Sequence, residues 1–302
     1  MSAPVTLAPA IVPAPPRSLW SDAWSALRQN RAAMTAAVIL ALLVVLVLAG
    51  PSLSAYRFDK PNWDEIAVPP LTAGSAGLHL LGTDSLGRDL LTRTLVGGRI
   101  SLLIGLVSTL VSLVIGIAWG ATAGFLGGRV DRVMMRIVDI LYALPFMFLV
   151  ILLMVLFGRN ILLIFVAIGA INWLDMARIV RGQTLGLRQR EFIEAARVGG
   201  VQPGRIIRRH IVPNLLGVVV IYVTLTIPQV ILVESFLSFL GLGVQEPATS
   251  WGVMVSDGAL EMETAPWMLV VPAAFLAVTL FCFNFLGDGL RDALDPRDRS
   301  GR

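Results

Sequence analysis

The feature that most constrains this chain is a series of apolar runs, each long enough to cross a lipid bilayer. A helix needs about 20 mainly apolar residues to span a hydrocarbon core of about 30 Å. Ala32–Gly50, Ile100–Gly124, Ile137–Phe157, Ile161–Ala177, Leu215–Leu240 and Trp267–Leu286 all meet that need. The third and fourth runs are separated only by Gly158, Arg159 and Asn160. One helix through both would be about 60 Å long, twice the membrane. Gly158 and Asn160 turn readily, and Arg159 can place its guanidinium at a headgroup layer, so a tight hairpin is predicted. The expected fold is all-α and polytopic, with six transmembrane helices. Of the 302 residues, 15% are charged and 56% hydrophobic. That is too little charge to cover two soluble domains, and too much apolar surface for disorder.

Arginine then sets an orientation. Arg17, Arg28 and Arg31 precede the first run, and Arg129, Arg132 and Arg136 lie between the second and third. Arg178, Arg181, Arg188, Arg190, Arg197, Arg205, Arg208 and Arg209 lie between the fourth and fifth, and Arg291, Arg297, Arg299 and Arg302 follow the sixth. These are eighteen of the 24 basic residues, in segments two spans apart. The positive-inside rule places all four segments, and both termini, in the cytoplasm. The predicted organisation is a disordered arm over 1–17, an interfacial helix over 18–31 with Trp20, Ala23, Trp24 and Leu27 on one stripe, and a first span over 32–50. A periplasmic segment over 51–99 follows, in which Asp84/Arg88 and Asp89/Arg93 at i,i+4 spacing predict a solvated amphipathic helix. A five-span core over 100–287 includes a connection over 178–214, and a cytoplasmic tail fills 288–302. The Ala/Pro-rich start carries no basic, apolar leader pattern, so no cleavable signal peptide is expected.

Composition also removes chemistry. Lys60 is the lone lysine and no Gly-rich loop precedes it, so the phosphate-cradling P-loop is absent and no ATP site is expected. Two histidines, His79 and His210, and the single Cys282 cannot build a His/Cys zinc cluster or a disulfide. No metal and no catalytic group is expected, and Cys282 reads as a small hydrophobe in a span. The net charge of +4 reads as orientation rather than as nucleic-acid binding.

The Arg-rich connection is far longer than the 2–8 residues common between helices. Glu191 suits a helix start, Gly199 and Gly200 suit its end, and Pro203 suits the first position of a second helix. Pro213 and Asn214 are expected to turn the chain into the fifth span. Two short helices joined by a glycine turn predict a docking element for a cytoplasmic partner. The pattern Glu194-Ala195-Ala196, then Gly200, then Pro213 resembles the EAA loop of bacterial ABC-importer permeases. Leu81-Gly82-Thr83-Asp84-Ser85-Leu86-Gly87-Arg88-Asp89, the run Ser235–Gly243 followed by Ser250-Trp251-Gly252, and Gly287–Pro296 narrow the resemblance. They are similar to the C-type subunit of oligopeptide and dipeptide importers.

The resemblance implies the type I importer permease fold, with ATP and Mg bound by partners and not by this chain. It implies a second, B-type permease, two ATP-binding subunits and a periplasmic peptide-binding protein, with no nucleic acid. The implied coupling residues are Glu191, Glu194, Ala195, Ala196, Gly199, Gly200, Arg205, Arg208, His210 and Pro213. Dipeptide, nickel or glutathione transport stay open beside oligopeptides, as does a stand-alone secondary transporter.

Within the spans, Ser108, Ser112, Gly116, Gly120 and Gly124 predict close helix packing. Pro145 and Pro228 predict kinks. A buried acid is costly in lipid, so Glu234, with Gln229, Ser235 and Ser238 nearby, either faces a translocation path or bonds neighbouring helices. Asp139 is expected to pair with Arg136. Glu246, Trp251, Asp257, Glu261 and Glu263 are the expected docking face for a binding protein.

Overall fold

A computed structural model of the chain describes residues 19–157 and 161–294. The expected arm over 1–17, the Gly158–Asn160 turn and the last part of the tail lie outside the described residues. Among the described residues eleven α-helices follow in chain order: α1 Leu19–Gln29, α2 Arg31–Leu53, α3 Leu90–Leu126, α4 Gly128–Ala143, α5 Phe146–Phe157, α6 Ile161–Arg188, α7 Glu191–Val198, α8 Pro203–Ile206, α9 Val212–Phe239, α10 Trp251–Leu260 and α11 Trp267–Leu294. A 3₁₀ turn over Trp63–Glu65 and an antiparallel hairpin of β1 Thr72–Gly74 and β2 Gly77–His79 lie between α2 and α3. Four helical stretches among the described residues are long and apolar enough to cross a membrane: Arg31–Leu53, Leu90–Leu126, Pro203–Phe239 and Trp267–Leu294.

Helix α3 is the axis of the fold. It packs along α6, with α2 and α9 beside it, and α11 closes the group against α2, α9 and α10. Its 37 residues give a rod of about 55 Å. Leu42, Val45, Val114 and Val270 are largely exposed on the outer faces. Such a surface suits lipid as solvent, where the helices satisfy their own backbone groups.

Several expectations are corrected. The third span breaks, because Pro145 has no N–H and forces Leu144 out of the helical region, to φ −75° and ψ 134°. The amphipathic α4 is therefore a separate element from α5. Helix α6 runs on to Arg188, so Arg178, Arg181 and Arg188 belong to a helix and the connection shortens to the residues around α7. The second short helix does not turn at Pro213. It passes through a π-turn over Ile207–Ile211 into α9. Pro213 cannot donate to the carbonyl four residues back. The Val212 N–H bonds Ile207 O, one residue further than in an α-helix. The tail expected from 288 is helical, since α11 continues to Leu294. The apolar stripe of α1 is shared: Ala23 and Leu27 are buried with Ala33 and Ala293, while Trp24 is half exposed beneath Arg28.

Proline elsewhere is accommodated. Pro228 stays inside α9. Pro51 inside α2 leaves Val47 O without its helical donor, and the Arg99 Nε of α3 supplies one at 2.9 Å.

Candidate functional site

The Arg-rich connection is anchored by one face and open on the other. Ile193 of α7, Ile206 of α8 and Ile211 are buried in a cluster with Phe125 of α3 and Met176 and Val180 of α6. On the free side Phe192 is 44% and Val198 90% exposed, and Glu191, Glu194 and Ala195 are also exposed while Ala196 is half-buried. The two acids sit in the first turn of α7, where the helix dipole favours them. The Gly199 N–H donates to Ala195 O at 2.9 Å and the Gly200 N–H to Arg197 O at 3.0 Å. Gly200 has φ +74°, a left-handed cap that a side chain would strain. Arg205, Arg208 and Pro213 are exposed and His210 is half-buried. A cleft of 560 Å³ opens beside this turn, lined by Phe125, Leu126, Arg188, Arg197, Gly200 and Pro203 among others. The Arg197 guanidinium lies 4.6 Å over the Phe125 ring, a contact that holds α7 to the end of α3.

The small-residue ladder connects this cleft to the spans. A Cβ on Gly116 would stand 2.4 Å from Met176 Cγ, one on Gly120 2.4 Å from Ala177 O, and one on Gly124 2.9 Å from Arg181 O. Helices α3 and α6 thus meet backbone to side chain with no space for a methyl group. Helix α4 is tied to the same block. Arg181 makes a two-pronged pair with Asp131, at 2.5 and 2.7 Å. Asp139 pairs with Arg178 at 2.8 Å rather than with Arg136, and Arg178 also lies over the Tyr142 ring. The nearer i,i+3 partner loses because α6 presents its arginine directly across the gap.

Glu234 is fully buried in a hydroxyl cage. Ser250 Oγ donates to its carboxylate at 2.6 Å, Ser238 Oγ at 2.7 Å and Ser101 Oγ at 3.4 Å. The cage joins α3, α9 and α10 through the one carboxylate. Ser238 is buried with it; Gln229 is exposed, and Ser235 is half-buried, its hydroxyl without a hydrogen-bond partner among the described residues. Trp251 leaves the expected docking face. It is fully buried, with its indole N–H bonded to Thr94 O at 2.9 Å.

At the other end of α3, opposite α7, the expected solvated amphipathic helix does not form. Residues 82–89 make a turn in which Gly82 and Gly87 have positive φ. A Cβ on Gly87 would lie 1.8 Å from Asn62 O. Asp84, Arg88, Asp89 and Arg93 are all buried. Asp84 accepts from the Leu86 and Arg88 N–H groups, both at 2.9 Å, and binds Arg88 Nε at 2.7 Å and Arg93 Nε at 3.2 Å. Arg88 Nη1 reaches Glu246 at 2.9 Å, which ties the loop after α9 to this turn. Asp257 and Glu263 are exposed and Glu261 is half-buried. Opposite charges four apart fit a helix face and a closed turn equally, and the signal that separates them was the glycine pair. Sequence reasoning also missed His79, which sits between Asp89 Oδ1 at 2.9 Å and Glu65 Oε2 at 3.0 Å.

Comparisons with known proteins agree with this architecture. Residues 112–300 match the family described as binding-protein-dependent transport system inner membrane component, and residues 18–70 match the N-terminal TM domain of oligopeptide transport permease C. The oligopeptide transport system permease protein OppC of Escherichia coli (strain K12) is 58% identical over 94% of this chain and 93% of its own length. In Bacillus subtilis (strain 168), the oligopeptide permease OppC and the dipeptide transport system permease protein DppC are each 45% identical, over 93% and 94% of this chain and 91% and 88% of their own lengths. A chain from inward-facing structures of the MetNI methionine ABC transporter shares the fold, with a TM-score of 0.53 at 21% identity over 68% of this chain and 96% of that one. With its EAA-type loop on the spine of α3 and α6, this chain belongs to the binding-protein-dependent inner-membrane permeases of ABC importers, in the oligopeptide permease C group.

Proposed function

We propose that this subunit carries peptides, oligopeptides foremost, across the bacterial inner membrane by ATP-driven alternating access. It pairs with a B-type permease, and two ATP-binding subunits bind ATP and Mg and dock on the α7 loops of the pair. A periplasmic peptide-binding protein delivers the substrate at the opposite end. Both termini and α7 are cytoplasmic in this reading, as the arginine distribution favours, and the hairpin β1–β2 faces the periplasm. The observation that carries the reading is the half-anchored loop: buried isoleucines fix α7 to α3 and α6, while Phe192, Ala195 and Val198 remain open beside a cleft.

The mechanism follows from that attachment. Closure of the ATP-binding pair pushes α7, and the tight α3–α6 contact carries the push along the spans without slack. ATP then biases a two-state element through its different contacts in each state. Ala195→Trp tests the docking. Its Cβ faces solvent, so the added ring obstructs a partner and not the fold. In proteoliposomes holding the whole complex, binding-protein-dependent peptide uptake is expected to fall while ATP hydrolysis persists. Undiminished ATP-driven uptake would overturn the assignment. Dipeptides are the second reading, favoured by the equal identity to the two Bacillus subtilis relatives. Uptake of labelled peptides of graded length separates the two.

A further inference from the structure

The hairpin of β1 and β2 is built inside out. Alternate residues of a strand point to opposite faces, and here His79 is fully buried while Leu78 and Leu80 on either side of it are exposed. Two strands of three residues do not hold together unaided in water. The ring of His79 fastens them to the rest of the chain. Its Nδ1 meets Asp89 Oδ1 and its Nε2 meets Glu65 Oε2. Tyr56, on the chain leaving α2, stacks on the ring with centroids 4.3 Å apart and donates its hydroxyl to Gly77 O at 2.8 Å. The titratable groups facing the ring are therefore Glu65 from the 3₁₀ turn, Asp89 from the start of α3, and Tyr56.

Both ring nitrogens face oxygens that only accept when the carboxylates are ionised. A neutral imidazole has one N–H, so it would satisfy one carboxylate and aim a lone pair at the other. The imidazolium fills both. Asp89 has a second task, because its Oδ2 accepts from the Thr92 N–H at 2.8 Å and the Thr92 hydroxyl at 2.7 Å. One carboxylate thus joins the histidine to the N-terminal cap of α3.

We propose that the proton on His79 is the fastener that holds the hairpin and the 3₁₀ turn onto the N-terminus of α3, so that their docking depends on the pH of the compartment they face. Burial opposes the charge, but the hydrogen bonds to Asp89 and Glu65 outweigh it and hold the His79 pKa above its ordinary 6.5. The same contact draws the Glu65 carboxyl below its ordinary 4.5. A pKa raised by folding gives stabilisation that is complete below the unfolded value and is lost as pH rises through the folded one. Alkaline medium therefore loosens the hairpin and frays the first turn of α3, and mild acid secures both. The geometry is independent of the transport reading, which supplies only the compartment, the periplasm.

The test uses the assembled complex in lipid nanodiscs. The chain has two histidines, so exchange of the ring C2 hydrogen followed by mass spectrometry gives separate titrations for His79 and His210. His79 is expected to titrate above 6.5, and Glu65→Gln to lower that midpoint. Amide exchange at Thr92, Arg93 and Thr94, corrected for the chemical rate, is expected to rise about tenfold or more between about pH 6 and pH 9, the population change produced by losing one charged hydrogen bond. Glu65→Gln shifts that rise to lower pH, and His79→Gln makes exchange fast and flat across the range. A His79 midpoint at or below 6.5, or a flat wild-type amide profile, would overturn the proposal without bearing on transport or docking.

Discussion

The two ends of α3 solve the problem of a helix leaving a membrane in opposite ways. At its N-terminus the charges are inside and the leucines outside: Asp84, Arg88, Asp89 and Arg93 are buried, while Leu71 and Leu78 are exposed. At its C-terminus the isoleucines are inside, and Arg197, Glu191 and Glu194 of α7 remain exposed. The first end is closed by its own hydrogen bonds, since each buried carboxylate there finds a guanidinium, an imidazole or a backbone N–H. The second end satisfies its core and leaves a face over. Buried ion pairs fix a geometry at a cost in desolvation, whereas an exposed apolar helix face beside a cleft suits completion by another chain.

The strongest way to break the comparison is to remove the rod that joins the two ends. Gly120→Leu places a side chain where a Cβ alone stands 2.4 Å from Ala177 O. Backbone cannot move aside as a flexible side chain can, so the expected loss is about 3 kcal/mol, the upper range for overpacking. Gly182→Ala is the control, with nothing within 4 Å of its added Cβ. Tryptophan-detected thermal unfolding of the purified complex measures both, and equal midpoints would remove α3–α6 packing as the spine.

At the closed end, Gly87→Ala combines φ +71° with a Cβ 1.8 Å from Asn62 O. The left-handed conformation costs about 1–2 kcal/mol by itself, and the contact raises the expected total to about 2–3 kcal/mol. The readout is local: amide exchange should quicken at Arg88 and Thr92 before it does in α9. A change confined to the global midpoint would show that the turn is not a separate closed unit.

Part of this contrast was legible in the sequence. The ladder from Ser108 to Gly124 announced a tight contact because its spacing of four keeps small residues on one helical face. Glu191, Gly199 and Gly200 announced the short helix and its end, because an acid suits the first turn and glycine takes the left-handed cap. What stayed hidden depends on contacts distant in sequence. Asp139 takes Arg178 over Arg136, Glu246 reaches Arg88, and Glu234 gathers Ser101 and Ser250. No local period encodes such partners. The expected amphipathic helix through Asp84/Arg88 fails for a different reason: the i,i+4 charge spacing fits a helix, but Gly82 and Gly87 at positive φ close the chain into a turn. Helix boundaries slipped for a similar reason: apolarity marks where lipid begins, and α3, α6 and α11 continue past it.

Glu234 tests whether the middle of the rod resembles its closed end. Glu234→Ala strips an acceptor from the Ser238 and Ser250 hydroxyls and is expected to cost about 2 kcal/mol, the penalty for buried polar groups left unpaired. Glu234→Gln retains one acceptor oxygen and should recover about half of it. Should the alanine and glutamine variants unfold alike, the cage contributes through shape and not through hydrogen bonding.

The smallest effect on stability is expected at the open end, and there function and stability should part. Val198 is 90% exposed, so Val198→Asp removes almost no buried area and should change the unfolding free energy by less than about 0.5 kcal/mol. Ile193→Asp, one helical turn and a half earlier, puts a charge into the cluster around Met176 and should release α7 altogether. If the free face exists to be covered, Val198→Asp should still weaken co-purification of the ATP-binding subunits, because an apolar contact has been replaced by a charge that the partner must desolvate. The pairing of an unchanged melting curve with a lost partner is the signature of a face held open for assembly. A Val198→Asp complex that assembles and transports as before would mean that the exposure at the end of α7 has no such purpose, and the asymmetry of the two ends would reduce to a difference in packing.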